Sequence, residues 1–172
     1  MACPLCIQDP RMHSFVPAGA TPSGTQLFYT APARTADRLH AKHLDLFGLH
    51  LQTAPQAPWI WILDCGKMKM RHYTTIEFLV GLSRLLEKEH GDTLQCMIVL
   101  HPNLFVSTIL NTLQCLLSSA MLRKLHVISE KVPYLALTEY GLSLQNAMDL
   151  RALHEIPLDA VIQDSRAATK AS

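Results

Sequence analysis

The chain has 172 residues, 49% of them hydrophobic and 17% charged, with a formal net charge of +1. That length holds one domain with a real core and is short for two. The near-neutral balance provides no basic face of the kind nucleic-acid binding needs, and the apolar, charge-poor composition suits a domain with extra apolar surface to hide, such as a pocket lining.

The N-terminal MACPLCIQDPRMH lacks the basic stretch and continuous apolar run of a secretory signal. Five cysteines, at 3, 6, 65, 96 and 115, form an odd and scattered set, as expected of reduced thiols in a cytoplasmic protein. Cys3 and Cys6 make a CxxC, but a zinc site needs about four ligands and only His13 lies near, so neither a metal nor a cofactor is expected. Residues 1–25, rich in Pro, Gly, Ser, Thr and Ala without periodicity, read as a flexible leader.

Gln26 to Ala31 (QLFYTA) has the aromatic content of a short strand, and Thr35 to Gln52 spaces Leu39, Leu44, Phe47 and Leu51 as a helix stopped by TAPQAP. Three strands alternating with two helices follow. Trp59–Cys65 is strand; Thr74–His90 is helix, with Phe78, Leu82, Leu85 and Leu86 at helical spacing; Gln95–His101 is strand; Asn103–Met121 is helix; Lys124–Ser129 is strand. Such alternation means βαβ units with parallel strands. Leu137–Leu153 is helical again, and the domain spans 26–160 before a polar, flexible tail at 161–172.

The fourth of these segments is unusual: from Asn103 to Leu122 twenty residues carry no charge, yet eight are Asn, Gln, Ser or Thr. A membrane span would be more uniformly apolar. The pattern fits an amphipathic helix with an uncharged back, its stripe of Phe105, Val106, Ile109, Leu110, Leu113, Leu116 and Leu117 closing over an apolar cavity.

The motifs LDCGKM (Asp64, Gly66), VLHPNLF (Pro102, Phe105), the uncharged helix and MLRKLHVIS (Lys124), in that order between Trp59 and Ser129, resemble the CRAL-TRIO domain of phosphatidylinositol- and tocopherol-transfer proteins. The resemblance implies a compact or divergent member: α/β, a mixed sheet with a parallel βαβαβ core, flanking helices and a gate helix over an apolar cavity. It implies non-enzymatic binding of a hydrophobic ligand, most simply a phospholipid, for transfer or sensing. The helical bundle that family members carry before this domain has no counterpart in the leader, and the carboxylate that phosphatidylinositol binders place before the second strand falls near Gly91, beside Asp92. Divergent relatives, the BCH-type domains, act as protein-interaction scaffolds, and a scaffold with a filled cavity is the alternative.

On this reading the ligand is held by Trp59, Trp61, Met97, Val99, Phe105, Ile109, Leu113, Leu116 and Lys124, with Lys67, Lys69 and Arg71 contacting a headgroup or membrane surface. The partners expected are a lipid, a transient membrane surface, and either a second copy of the chain or another protein, with no nucleic acid. The protein is expected in the cytoplasm or peripheral to membranes. The bland readings are a solvated loop for the basic residues and core packing for the tryptophans. Asp64, at the carboxyl end of a strand, serves best as the cap of a turn through Gly66. Cys65 and Arg71 have the bare spacing of a cysteine-dependent phosphatase, a remote third reading, but Asp64 beside the thiol would raise its pKa rather than lower it. No enzymatic activity is expected.

Overall fold

β-branched and aromatic runs too short for helices build the sheet, and the computed structural model describes residues 15–34, 44–69, 72, 74–130 and 132–155. Its strands are β1 (Val16–Ala20), β2 (Gln26–Thr30), β3 (Trp59–Asp64), β4 (Leu94–Leu100) and β5 (Leu125–Ile128), side by side in sequence order. β1 and β2 are antiparallel, and β2 through β5 are parallel, with Phe28 opposite Trp61, Ile62 opposite Ile98 and Val99 opposite Val127. This is the mixed α/β architecture with a parallel core that the alternation implied.

Because the parallel strands march in one direction, right-handed crossovers send every connecting helix to the same face. These helices are α1 (Leu44–Leu51), α2 (Ile76–His90), α3 (Leu104–Gln114) and α4 (Ser119–Lys124). Strand alternation supplies the matching surface. Phe28, Trp59, Trp61 and Leu94 pack with Phe47, Leu51, Phe78, Leu82, Leu86 and Met121. The opposite face, with Leu27, Tyr29, Ile60, Ile62, Ile98 and Leu100, is covered by α5 (Pro133–Ala136), a 3-10 turn at Leu137–Tyr140 and α6 (Leu144–Glu155). Trp61 is fixed by a hydrogen bond from its Nε1 to Thr30 Oγ1 at 2.8 Å, which satisfies the one polar atom of a buried indole.

Several boundaries differ from the expectations. Residues 16–20, placed in the flexible leader, form an edge strand with an irregularity between Pro17 and Ala20, where Gly19 takes φ +89°. An edge tolerates a proline that cannot donate to a ladder. The helix expected at 103–121 breaks at residues 115–118: α3 stops at Gln114, and Ser118 starts α4 by accepting from the Met121 N–H at 3.2 Å. The helix expected from Leu137 begins at Leu144, because Gly141 at φ +82° ends the preceding 3-10 turn. Most of the expected leader, the first part of the helix at 35–52 and the tail at 161–172 lie outside the described residues.

Candidate functional site

Two sites flank the carboxyl ends of β3 and β4, one on each face of the sheet, where ligand sites of parallel α/β sheets gather. On the crossover-helix face a cavity of about 140 Å³ lies between the sheet and α2 and α3. Trp61, Leu63, Cys65, Met97 and Val99 form its floor; Phe78, Leu79 and Leu82 of α2 and Val106, Ile109, Leu110 and Leu113 of α3 form its walls. Thr30, Thr74, Ser83, His72 and Lys124 also border it. The surroundings are almost wholly apolar, so binding there is governed by the burial of hydrocarbon rather than by charge.

The helix α3 begins where Asn103 Oδ1 accepts from the Val106 N–H at 3.0 Å, and along it the Thr108 and Thr112 hydroxyls donate to the carbonyls of Leu104 and Thr108, four residues back. Its inner stripe is Val106, Ile109, Leu110 and Leu113. Its outer side is open: Leu104 is 81% exposed and Phe105 50% exposed. At the break after α3, the Ser118 hydroxyl donates to Glu87 Oε1 at 2.6 Å and ties the junction to α2.

Of the residues expected to hold a ligand, Trp61, Met97, Val99, Ile109, Leu113 and Lys124 lie around this cavity. Trp59 does not; it is buried one turn of the pleat away, edge-on to His90 and Phe28. Phe105 sits at the rim of the helical stripe and Leu116 lies past the end of α3, 51% exposed, so neither reaches the lining. The Lys124 ammonium is engaged by the carbonyls of Gly91 and Leu94, the latter at 2.6 Å, at the C-terminus of α2, where a cation offsets the partial negative charge of the helix end. Lys67 Nζ donates to the His154 carbonyl at 3.2 Å, and the Lys69 N–H donates to His72 Nδ1 at 2.9 Å. Arg71 lies outside the described residues.

Cys65 faces the cavity floor, and burial, reinforced by the neighbouring Asp64 charge, pushes its thiol up to about 12. It is protonated at neutral pH, the reverse of what thiolate chemistry requires.

Across the sheet, Asp64 is wholly buried and its carboxylate gathers five donors. Oδ2 accepts from Tyr29 Oη at 2.8 Å and Tyr134 Oη at 2.7 Å and lies 2.7 Å from His154 Nδ1; Oδ1 accepts from the Gly66 N–H at 2.9 Å and lies 2.9 Å from His101 Nδ1. The turn through Gly66 is thus capped as expected, but the carboxylate does more. Burial alone would raise the Asp64 carboxyl; the hydrogen bonds from Tyr134, Gly66, Tyr29 and His101 outweigh it and hold the pKa below the ordinary range. Burial and the same carboxylate push the Tyr134 phenol well up. The two imidazoles stack with centroids 5.0 Å apart. Sequence reasoning singled out Asp64 and missed its meeting with Tyr29, His101, Tyr134 and His154, which reach it from 35, 37, 70 and 90 residues away; no local spacing signals such a meeting.

Among the described residues no helix is long and apolar enough to cross a membrane. A family model described as a divergent CRAL/TRIO domain matches residues 24–142, well over half of the chain. No curated protein matches it.

Proposed function

Since this chain belongs to the divergent CRAL/TRIO family, whose domains are generally lipid-binding, we propose that it takes a single apolar chain of a lipid into the cavity beneath α3. The observation that carries the reading is the cavity itself: an almost wholly apolar space between the sheet and a helix without a charge. Each methylene buried there contributes about 0.8 kcal/mol. At about 140 Å³ the space is below the roughly 300 Å³ at which ordinary ligand pockets begin, and close to the ~150 Å³ apolar cavity that takes one benzene ring. Loading a longer chain therefore requires α3 to move outward. The break at residues 115–118 supplies a hinge, and Leu104, Phe105 and Leu116 give the moving helix an apolar outer edge that suits a membrane surface. Lys69, on the loop after β3, offers a cation to a headgroup or an anionic surface, whereas Lys67 holds the His154 carbonyl and Lys124 supports the fold through the end of α2.

The small volume also supports a second reading, a protein-interaction scaffold whose core is filled by its own side chains and whose exposed Leu104, Phe105 and Leu116 contact a partner. The two separate in one experiment, because the chain has two tryptophans and Trp61 alone of them borders the cavity. A spin-labelled stearic acid is expected to quench tryptophan fluorescence saturably, and Trp61→Phe to remove most of the quenching. Quenching that is absent, or equal in the variant, would favour the scaffold.

A further inference from the structure

We infer that Asp64, His101 and His154 form a binding site for a divalent transition-metal ion of the zinc type, on the face of the sheet opposite the apolar cavity. The three side chains each bring one ligand atom, and these atoms lie within 4.8 Å of one another. Two imidazole nitrogens and a carboxylate oxygen are the donor set that zinc takes and that the oxygen-seeking calcium and magnesium ions do not. In a tetrahedral zinc site nitrogens about 2.1 Å from the ion stand about 3.4 Å apart, so binding draws the outermost pair of ligand atoms together by up to about 1.4 Å. Both rings have that freedom: His101 follows the end of β4, and His154 sits in the last turn of α6, and both are partly exposed while Asp64 is not.

The surroundings are those of a fixed ligand rather than of a carboxylate that merely caps a turn. Tyr29 and Tyr134 hydroxyls and the Gly66 N–H hold both oxygens of Asp64, as outer partners orient metal-binding carboxylates. His101 adopts φ +50°, a left-handed backbone that side-chain-bearing residues disfavour and that is retained where a side chain's position matters. A Cβ on Gly66 would stand 2.5 Å from His154 Cε1 and 3.0 Å from Asp64 Oδ1, so the close convergence of the histidine on the carboxylate depends on glycine there. An entry path exists, a groove of about 410 Å³ bordered by His101, His154, Tyr134, Met148, Arg151 and Glu155. Ligation through Nδ1 would leave each neutral imidazole with its proton on Nε2, and the remaining positions of the metal would face this groove, the arrangement of a site that keeps room for a further ligand. His154 stands on α6, beyond the residues that the family model matches, so the cluster combines family and non-family segments.

The test is zinc titration by calorimetry on the full chain carrying Cys3→Ser and Cys6→Ser, which removes the competing thiol pair. One equivalent of zinc is expected, weakened at least about 100-fold when His101→Ala and His154→Ala are added. Because those changes can disturb the fold, X-ray absorption of the cobalt-loaded Cys3→Ser/Cys6→Ser chain is the second readout, with nitrogen and oxygen ligands and imidazole outer-sphere scattering expected. No stoichiometric binding, undiminished binding without the two histidines, or a sulfur ligand from a remaining cysteine would overturn the inference.

Discussion

Lys124 ends on Leu94: its ammonium lies 2.6 Å from that residue's carbonyl oxygen and also donates to Gly91, joining the end of α4 to the turn between α2 and β4. The lysine just before β5, which the family resemblance placed among the ligand-holding residues, is thereby committed to backbone carbonyls. Lys124→Met is expected to cost about 1.5–3 kcal/mol, the usual range for hydrogen bonds to a charged group, while leaving lipid uptake by the folded protein unchanged. Urea denaturation alongside a loading assay checks this, and an unaltered midpoint with lost uptake would reverse the assignment.

Filling the cavity should separate folding from binding. Val99, fully buried on the cavity floor, tolerates a larger side chain only by occupying the space a ligand needs. Val99→Phe is expected to cost about 1–3 kcal/mol from overpacking and to abolish loading of a spin-labelled fatty acid. Retained loading in a folded variant would move the ligand elsewhere.

The junction at Ser118 sets how readily α3 leaves the sheet. Its hydroxyl donates to Glu87 and accepts from the Met121 N–H, so Ser118→Ala removes a helix cap and a tether together. A loss of about 0.5–2 kcal/mol is expected, with faster hydrogen exchange at 115–118 and faster lipid exchange with vesicles. Slower exchange would place the hinge elsewhere.

Acid should weaken the fold before the carboxylates titrate. Burial lowers the pKa of His90 from its ordinary 6.5, against an opposing pull from Glu89, and burial lowers that of His50. A histidine whose folded value is depressed contributes stability that is fully present above the unfolded pKa and is lost as pH falls from about 6.5 through the folded value. Unfolding free energy is therefore expected to fall between pH 7 and pH 5, and His90→Phe, which keeps a ring beside Trp59, should flatten that slope. Denaturation curves across this range check it; a slope unchanged in the variant contradicts it.

The sheet core was legible because β3 and β4 carry apolar runs, Trp59 to Leu63 and Cys96 to Leu100, and α2 keeps its spacing from Phe78 to Leu86. β1 was not: VPAGA holds a proline and a glycine, shows little alternation, and becomes a strand only by pairing with β2. The break after α3 was hidden because the apolar pattern runs on through Leu116 and Leu117, up to the Ser118 that caps α4 in the structure. Periodicity identified the inner stripe of α3 but not its edge, so Phe105 was grouped with residues that face the sheet. The Asp64 cluster is a product of topology: four elements bring their side chains to the end of β3, and nothing along the chain marks them as neighbours.

The most direct test of the central claim is mass spectrometry of the gently purified protein, intact under native conditions and again after organic extraction. The account predicts one apolar-chain molecule per protein, enriched in a single lipid class and lost in Val99→Phe. Protein that carries no lipid and takes up none from mixed vesicles would contradict it.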